Sequence, residues 1–283
     1  MTLRLAAPAK LNLMLRIVGR RADGYHLLQT VFQFLDHCDW ITLRPRDDGR
    51  IVLRRPLPGV PAESDLTVRA AQALQSHTAR AGLGVEIDVE KNLPMGGGLG
   101  GGSSDAATVL VGLDRLWNLH LPVDTLAQLG LRLGADVPVF VRGQAAWAEG
   151  IGEYLTPLPD LPEPWYVVAV PDCHVATAAV FGAPDLTRNS PPITIHDFSQ
   201  GDRRNDCLAV VRAAYPAVAA ALDRLARLSA GARLTGTGAC VFADCGDQDA
   251  ALRAARELTA AGLTAFAARG ANRSPLYRSL DPV

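Results

Sequence analysis

An excess of charge of either sign is missing from this sequence. Its 28 Lys+Arg stand against 29 Asp+Glu, a formal net charge of −1 over 283 residues. Without a basic surplus, the bulk electrostatics of a nucleic-acid binder are excluded. Cysteine is sparse, and Cys38, Cys173, Cys207, Cys240 and Cys245 include no C-x-x-C pair, which argues against a disulfide framework and a structural zinc. The histidines offer no H-x-x-x-H ligand pair. Long apolar runs are absent too: no stretch approaches the roughly 18 residues that a membrane helix needs. Arg4, Lys10 and Arg16 interrupt the N-terminal apolar segment where a signal sequence would have its core. Apolar residues still make up 48% of the chain and charged ones 20%, which excludes disorder. These absences point to a globular protein of cytoplasmic type, with no nucleic acid, membrane or obligate protein partner implied. The length suits two compact domains or one large one.

Residues 3–18 alternate as a strand does. Leu11, Leu13, Leu15 and Ile17 fall on one face and Lys10, Asn12, Met14 and Arg16 on the other. Short strands are expected at 40–44 and 50–54, parted by Pro45 and the turn Asp47-Asp48-Gly49. A helix is expected from Asp65 to Arg80, a strand at Val85–Val89, a helix after the glycines near 100, and another over 123–133. Val137–Val141 and Trp165–Val170 read as buried strands. In the second half, helices over 206–214, 217–229 and 248–261 mix with strands at 239–243 and 264–268. The absence of a strict βαβα rhythm favours α+β over a doubly wound sheet. The Pro-rich TPLPDLPEP at 156–164 is the candidate boundary, dividing the chain into 1–156 and 157–283.

The most unusual stretch is PMGGGLGGGSSDAA at 94–107. So dense a glycine run is costly in backbone entropy. It lets backbone N–H groups converge on an anion, while Ser103, Ser104 and Asp105 open a helix whose N-terminus favours negative charge. A phosphate cradle and a flexible, serine-capped loop are the two readings that the residues allow. Asp105 fits the first poorly, because a carboxylate there would repel phosphate. A Walker A loop is excluded, since Gly102 stands where lysine must be. A Rossmann turn is disfavoured because Asn92-Leu93-Pro94-Met95 separates strand from glycines.

Pro94 through Ser104 resembles the P-x-x-x-G-L-G-S-S-A nucleotide loop of the GHMP kinases, small-molecule kinases that phosphorylate alcohols. PAKLNL at 8–13 and LTGTGACVFA at 234–243 resemble that superfamily's other two motifs, in the same order. KLNL, RADGYHLLQTVFQFLD, LPMGGGLGGGSSDAA and GADVPVF together are similar to its cytidylate-carrying branch, which acts on the non-mevalonate route to isoprenoid precursors. The resemblance implies an α+β, two-domain GHMP-kinase fold with the active site in the cleft between domains. It further implies ATP as co-substrate with Mg²⁺, and a small-molecule substrate with a cytidine diphosphate moiety.

Carried onto this chain, the resemblance implies ATP binding by Pro94, Met95, Gly96, Gly97, Gly98, Leu99, Gly100, Gly101, Gly102, Ser103 and Ser104. Asp136 becomes the expected general base, with Lys10 its partner; on the residues alone, Asp136 before Val-Pro is equally a turn or cap residue. Lys10 and Asn12, two apart on a strand, point to one face, and Asn12 is expected to orient the substrate hydroxyl or the carboxylate. Tyr25 and His26 are expected to hold the cytosine, with Phe181 on its opposite face and Thr177 as a polar contact. Asp206 is read as a helix cap. Lys91 either approaches the nucleotide or is a solvated loop lysine. The family commonly has Asn where Asp65 stands, so no adenine role is given to Asp65. Mg²⁺ is expected on phosphate oxygens, and no protein ligand is assigned.

Overall fold

The computed structural model describes residues 2–78 and 80–280. Two long strands, β1 (Leu3–Arg20) and β2 (His26–Arg46), form an antiparallel hairpin across the polar turn at 21–25. Next come β3 (Ile51–Leu53), α1 (Leu66–Thr78), β4 (Gly84–Glu90), α2 (Gly101–Leu116), α3 (Val123–Leu131) and α4 (Val137–Arg142). Then follow β5 (Ala146–Gly150), β6 (Tyr154–Pro157), β7 (Trp165–Val170), α5 (Thr177–Gly182), α6 (Ile195–Ser199) and α7 (Leu208–Ala214). The chain closes with α8 (Pro216–Leu228), β8 (Arg233–Leu234), β9 (Val241–Gly246), α9 (Gln248–Ala260), β10 (Thr264–Ala271) and α10 (Pro275–Leu280). No described helix is long and apolar enough to cross a membrane.

The strands join in the order β3-β4-β2-β10-β7-β9-β8, with β1 along one edge of β2. At 21 residues β2 is long enough to share its other edge among three partners. Leu28–Phe32 pair with β5, Phe34–Leu35 with β10, and Trp40–Arg46 with β4. Only β3 and β4 run parallel, so the sheet is mixed and the α+β expectation holds. The strand expected at 40–44 is the far end of β2, whose Val31, Phe32, Phe34 and Leu35 are buried.

One apolar cluster packs α1, α2, α3 and α4 on one half of the sheet. Another packs α7, α8 and α9 against one face of β7 and β9, and a third, with Tyr166, Val168 and Phe242, lies on the opposite face of those strands. The first strand runs through all three, and β-bulges at Pro8/Lys10, Asn12/Met14 and Ile17/Gly19 let it do so. The second and third each add one residue to β1 and so swap which of its residues face which way, whereas the first adds two residues to β2 and leaves β1 in phase. Leu3, Leu5 and Ala7 join the first cluster, but past the first bulge Ala9, Leu11 and Leu13 join the third, leaving Lys10 and Asn12 on the opposite face. The simple alternation expected for this strand fails at the second bulge. Met14 joins Leu11 and Leu13, whereas Leu15 and Ile17 pass to the second cluster.

Val137–Val141, expected as a strand, is helix α4. A short apolar run fits either structure, and the flanks decide. Pro138 sits in the first turn, where a missing N–H costs nothing, and Gly143 closes the helix at φ 66°.

Candidate active site

A cavity of about 580 Å³ opens between β1, the glycine-rich loop, the start of α1 and α5. Pro94, Met95, Gly96, Gly97, Gly98, Gly100, Gly101, Gly102 and Ser103 all line it. Leu99 and Ser104 do not: both are fully buried, Leu99 in the third apolar cluster and Ser104 with a hydroxyl that has no hydrogen-bond partner.

The loop's conformation needs its glycines. Gly96, Gly98 and Gly100 have φ of 70°, 77° and 73°, a region costly for residues with a Cβ. A Cβ on Gly98 would stand 2.5 Å from the Thr235 carbonyl oxygen, so the Thr235–Gly238 turn packs against the loop's back. Cys240 N–H donates to the Gly97 carbonyl at 3.0 Å and reinforces that contact. Helix α2 then begins at Gly101, and its first in-helix bond is Ser104 N–H to the Gly100 carbonyl. The N–H groups of Gly101, Gly102 and Ser103 therefore lie at the positive end of a 16-residue helix, facing the cavity.

Beside the loop, Lys10 places its ammonium 3.3 Å from Asp136 Oδ2, 2.5 Å from Asn12 Oδ1 and 3.0 Å from the Gly98 carbonyl oxygen. Asn12 and Gly98 accept hydrogen bonds from the ammonium, and Asp136 is its ion-pair partner. The Lys10 side chain is 4% exposed and that of Asp136 34%, so the carboxylate is reachable while the cation is enclosed. Asp136 sits at the start of α4, held by the chain's return from α3. Asn12 donates to Thr30 Oγ1 at 2.8 Å, and its backbone N–H donates to Thr235 Oγ1 at 3.0 Å. Lys10, Asn12, Asp136 and the loop are thus one assembly around the strand segment between two bulges.

Lys91 is not a solvated loop lysine. It pairs with Asp39, and with Asp105 at 2.8 Å. Burial works against its charge, yet Asp105 and Asp39 outweigh burial and hold its pKa above the usual lysine value. Burial, opposed by Lys91 and aided by Asp39, pushes Asp105 above the ordinary carboxylate range. Asp39 escaped the sequence reading; its one local signal is a carboxylate in a strand between Cys38 and Trp40. Asp65 also lines the cavity, with Oδ1 accepting from Thr67 N–H at 2.8 Å and a buried Oδ2 that has no partner.

At the far end the His26 ring stacks on Phe181 with centroids 4.9 Å apart. Phe181 and Thr177 line the cavity, and Thr177 Oγ1 lies 3.0 Å from Thr237 Oγ1. Tyr25, next to His26 in the chain, is 61% exposed on the turn, and neither Tyr25 nor His26 is among the residues that line the cavity. Arg188, unassigned from sequence, donates through Nε to His26 Nε2 at 3.2 Å and through Nη2 to the Phe181 carbonyl at 3.0 Å. Burial, then the Arg188 and Arg20 charges, hold the His26 pKa below its usual value. An Nε2 that accepts leaves the ring proton on Nδ1. Asp206, expected as a helix cap, does another job. Its Oδ2 accepts from Ile17 N–H at 2.8 Å and its Oδ1 from Arg204, while neighbouring Asn205 accepts from Cys207 N–H ahead of α7.

Comparison with known proteins matches the GHMP kinases N terminal domain at residues 65–144 and the GHMP kinases C terminal domain at 192–263. A Methylococcus capsulatus protein named 4-diphosphocytidyl-2-C-methyl-D-erythritol kinase is 58% identical, over 99% of this chain and 95% of its own. An Ectopseudomonas mendocina protein of the same name is 57% identical, over 98% and 94%. A crystal structure of 4-(cytidine 5'-diphospho)-2C-methyl-D-erythritol kinase superposes with a TM-score of 0.82 at 33% identity, covering 95% of this chain and 99% of that one. A mevalonate kinase structure shares the fold alone, at a TM-score of 0.70 and 15% identity over 96% of this chain and all of the other. With both domain families matched and close relatives aligned end to end, the chain belongs to the 4-diphosphocytidyl-2-C-methyl-D-erythritol kinase family of GHMP kinases.

Proposed function

We propose that the chain transfers the γ-phosphoryl group of ATP to the 2-hydroxyl of 4-diphosphocytidyl-2-C-methyl-D-erythritol, on the non-mevalonate route to isoprenoid precursors. The observation that carries this reading is the Lys10–Asp136 pair, 3.3 Å apart, in the same cavity as the glycine-rich loop and the start of α2. Phosphoryl transfer asks for alignment and charge stabilisation more than for covalent chemistry. The loop and the N-terminal N–H groups of α2 bind the phosphates. Asp136 accepts the hydroxyl proton as the oxygen attacks the γ-phosphorus and the bond to the ADP oxygen breaks. Lys10, its ion-pair partner at 3.3 Å, keeps the carboxylate aimed.

Tyr25, His26 and Phe181 hold the cytosine, and Thr177 reaches the same ligand from α5. Asn12 orients the acceptor hydroxyl. The division between a nucleotide-binding half and a second half stays near 156–157 in this reading. Bound with the nucleotide, Mg²⁺ would shield charge on its phosphates, and Ser103, which lines the cavity at the start of α2, is an oxygen donor that fits that place. Among the described residues no cluster of three acidic, histidine or cysteine side chains could hold the ion by itself.

The test is ADP release with Mg-ATP and four separate acceptors: the cytidylate compound, mevalonate, homoserine and galactose. Release with the first alone is expected. Release with another acceptor instead would remove the cytosine pocket, and release with none would remove the kinase assignment.

A further inference from the structure

Outside the reacting centre, the buried carboxylate of Asp39 accepts three hydrogen bonds. It lies on β2 opposite Ala7 of β1, with a side chain that has no solvent exposure. Its Oδ1 accepts from the backbone N–H groups of Asn92 at 2.6 Å and Leu93 at 2.8 Å. Its Oδ2 accepts from the Lys91 ammonium. Lys91 then donates to Asp105 Oδ2 at 2.8 Å, and Asp105 lies on the second turn of α2. The three residues before the glycine-rich loop and the helix after it are therefore tied to one buried carboxylate.

The chemistry of this cross-link suits holding and not ligand binding. The Lys91 ammonium is already matched by the side chains of Asp39 and Asp105, so it has no surplus charge to offer a phosphate. A Cβ on Gly101 would lie 3.4 Å from Lys91 Nζ and 3.6 Å from Asp39 Oδ2, so the cross-link passes directly beneath the start of α2. A glycine-rich segment loses much conformational entropy when it is ordered. Fixing both ends beforehand removes part of that loss from the binding step, which is how preorganisation raises affinity.

We propose that Asp39, acting through Lys91 and Asp105, is a positioning residue for the glycine-rich loop, setting affinity for the nucleoside triphosphate and not for the alcohol acceptor. The inference rests on the phosphate-binding reading of that loop. In Asp39→Asn, the side-chain oxygen still accepts from the backbone, but an amide now faces the Lys91 ammonium. Calorimetric titration with a β,γ-imido analogue of ATP is expected to show a dissociation constant at least ten-fold higher. Titration with the cytidylate acceptor is expected to stay within two-fold, which a merely structural defect would not do.

Should Asp39→Asn fail to fold, Lys91→Met combined with Asp105→Asn cuts the same cross-link and leaves the backbone bonds of Asp39 in place. The same split between the two ligands is expected. Equal loss of both ligands, or nucleotide affinity within two-fold of the unaltered chain, would overturn the inference while the loop keeps its reading. No nucleotide binding by the unaltered chain would overturn both.

Discussion

At one end of the cavity Lys10 donates to Asn12 and Gly98, pairs with Asp136 and is almost wholly enclosed. At the other, Phe181 lines the cavity and stacks on the His26 ring, while Tyr25, the residue before His26, is mostly exposed on a turn. The first end is built on a core strand between two bulges and braced by Thr30 and Thr235. The second draws on the turn at 21–25, the short helix α5 and the loop that carries Arg188. A reacting centre gains from groups already aimed before substrate arrives, because no reorganisation is left for the transition state. A recognition site can be completed by its ligand. Substitutions should therefore separate kinetically, acting on kcat at the first end and on KM at the second.

The largest break in that comparison comes from Asp136→Asn. The amide is nearly isosteric but cannot take the proton, so kcat should fall by about 10²–10⁴-fold, the usual worth of general-base catalysis. Acceptor binding, measured by calorimetry, should barely move. A kcat loss of less than about ten-fold would take Asp136 out of the base role.

Next in size is a contrast within the glycine-rich loop. Gly98 has φ +77° and its missing Cβ would meet the Thr235 carbonyl oxygen, whereas a Cβ on Gly102 meets nothing closer than Leu66 Cδ1 at 3.4 Å. Gly98→Ala should destabilise the fold by about 1–3 kcal/mol in urea denaturation. Gly102→Ala, inside a helix, should be neutral or stabilising by up to about 1 kcal/mol. Equal effects would mean that the loop is mobile enough to absorb a Cβ anywhere.

At the recognition end, Phe181→Ala removes one stacking face. Roughly 1.4 kcal/mol of lost stacking is a ten-fold rise in acceptor KM, with kcat near its original value. A fall in kcat at unchanged KM would erase the distinction between the two ends.

What was legible in the sequence follows the range of the physics involved. The glycine-rich loop and α2 stood out because backbone freedom and helix-terminus chemistry act over a few residues. Lys10 and Asn12 could be set on one face because strand period is local, but the next bulge was invisible and put Leu15 on the cavity wall. Helix α4 was missed because five apolar residues fit both periods until the flanking Pro138 and Gly143 are weighed. Asp39 was illegible: its lysine partner is 52 positions away, and nothing nearby distinguishes it from a strand-edge acid. Arg188 is 162 positions from His26, and no local pattern joins them. Asp206 shows the reverse error. A capping signal was read there, but α7 has no side-chain cap, and Asn205 instead closes a turn onto the Cys207 N–H just before the helix.

The smallest effect concerns pH at the recognition end. His26 has a pKa lowered by burial and by Arg188 and Arg20, so the folded chain favours the neutral ring. A histidine depressed in this way contributes stability that is full above the unfolded value of about 6.5 and is lost as pH falls through the folded value. Protonation also places a hydrogen on Nε2, which cannot then accept from Arg188 Nε. Arg188 in turn holds the carbonyl of Phe181, so the protonated ring loosens both sides of the stack. Acceptor affinity should decline modestly from pH 7.5 to pH 5.5. In His26→Gln, which can still accept from Arg188 but does not titrate, the acceptor's decline should vanish. If it persists there, the proton acts elsewhere, and the Arg188–His26 bond does not set the pH response of this end of the cavity.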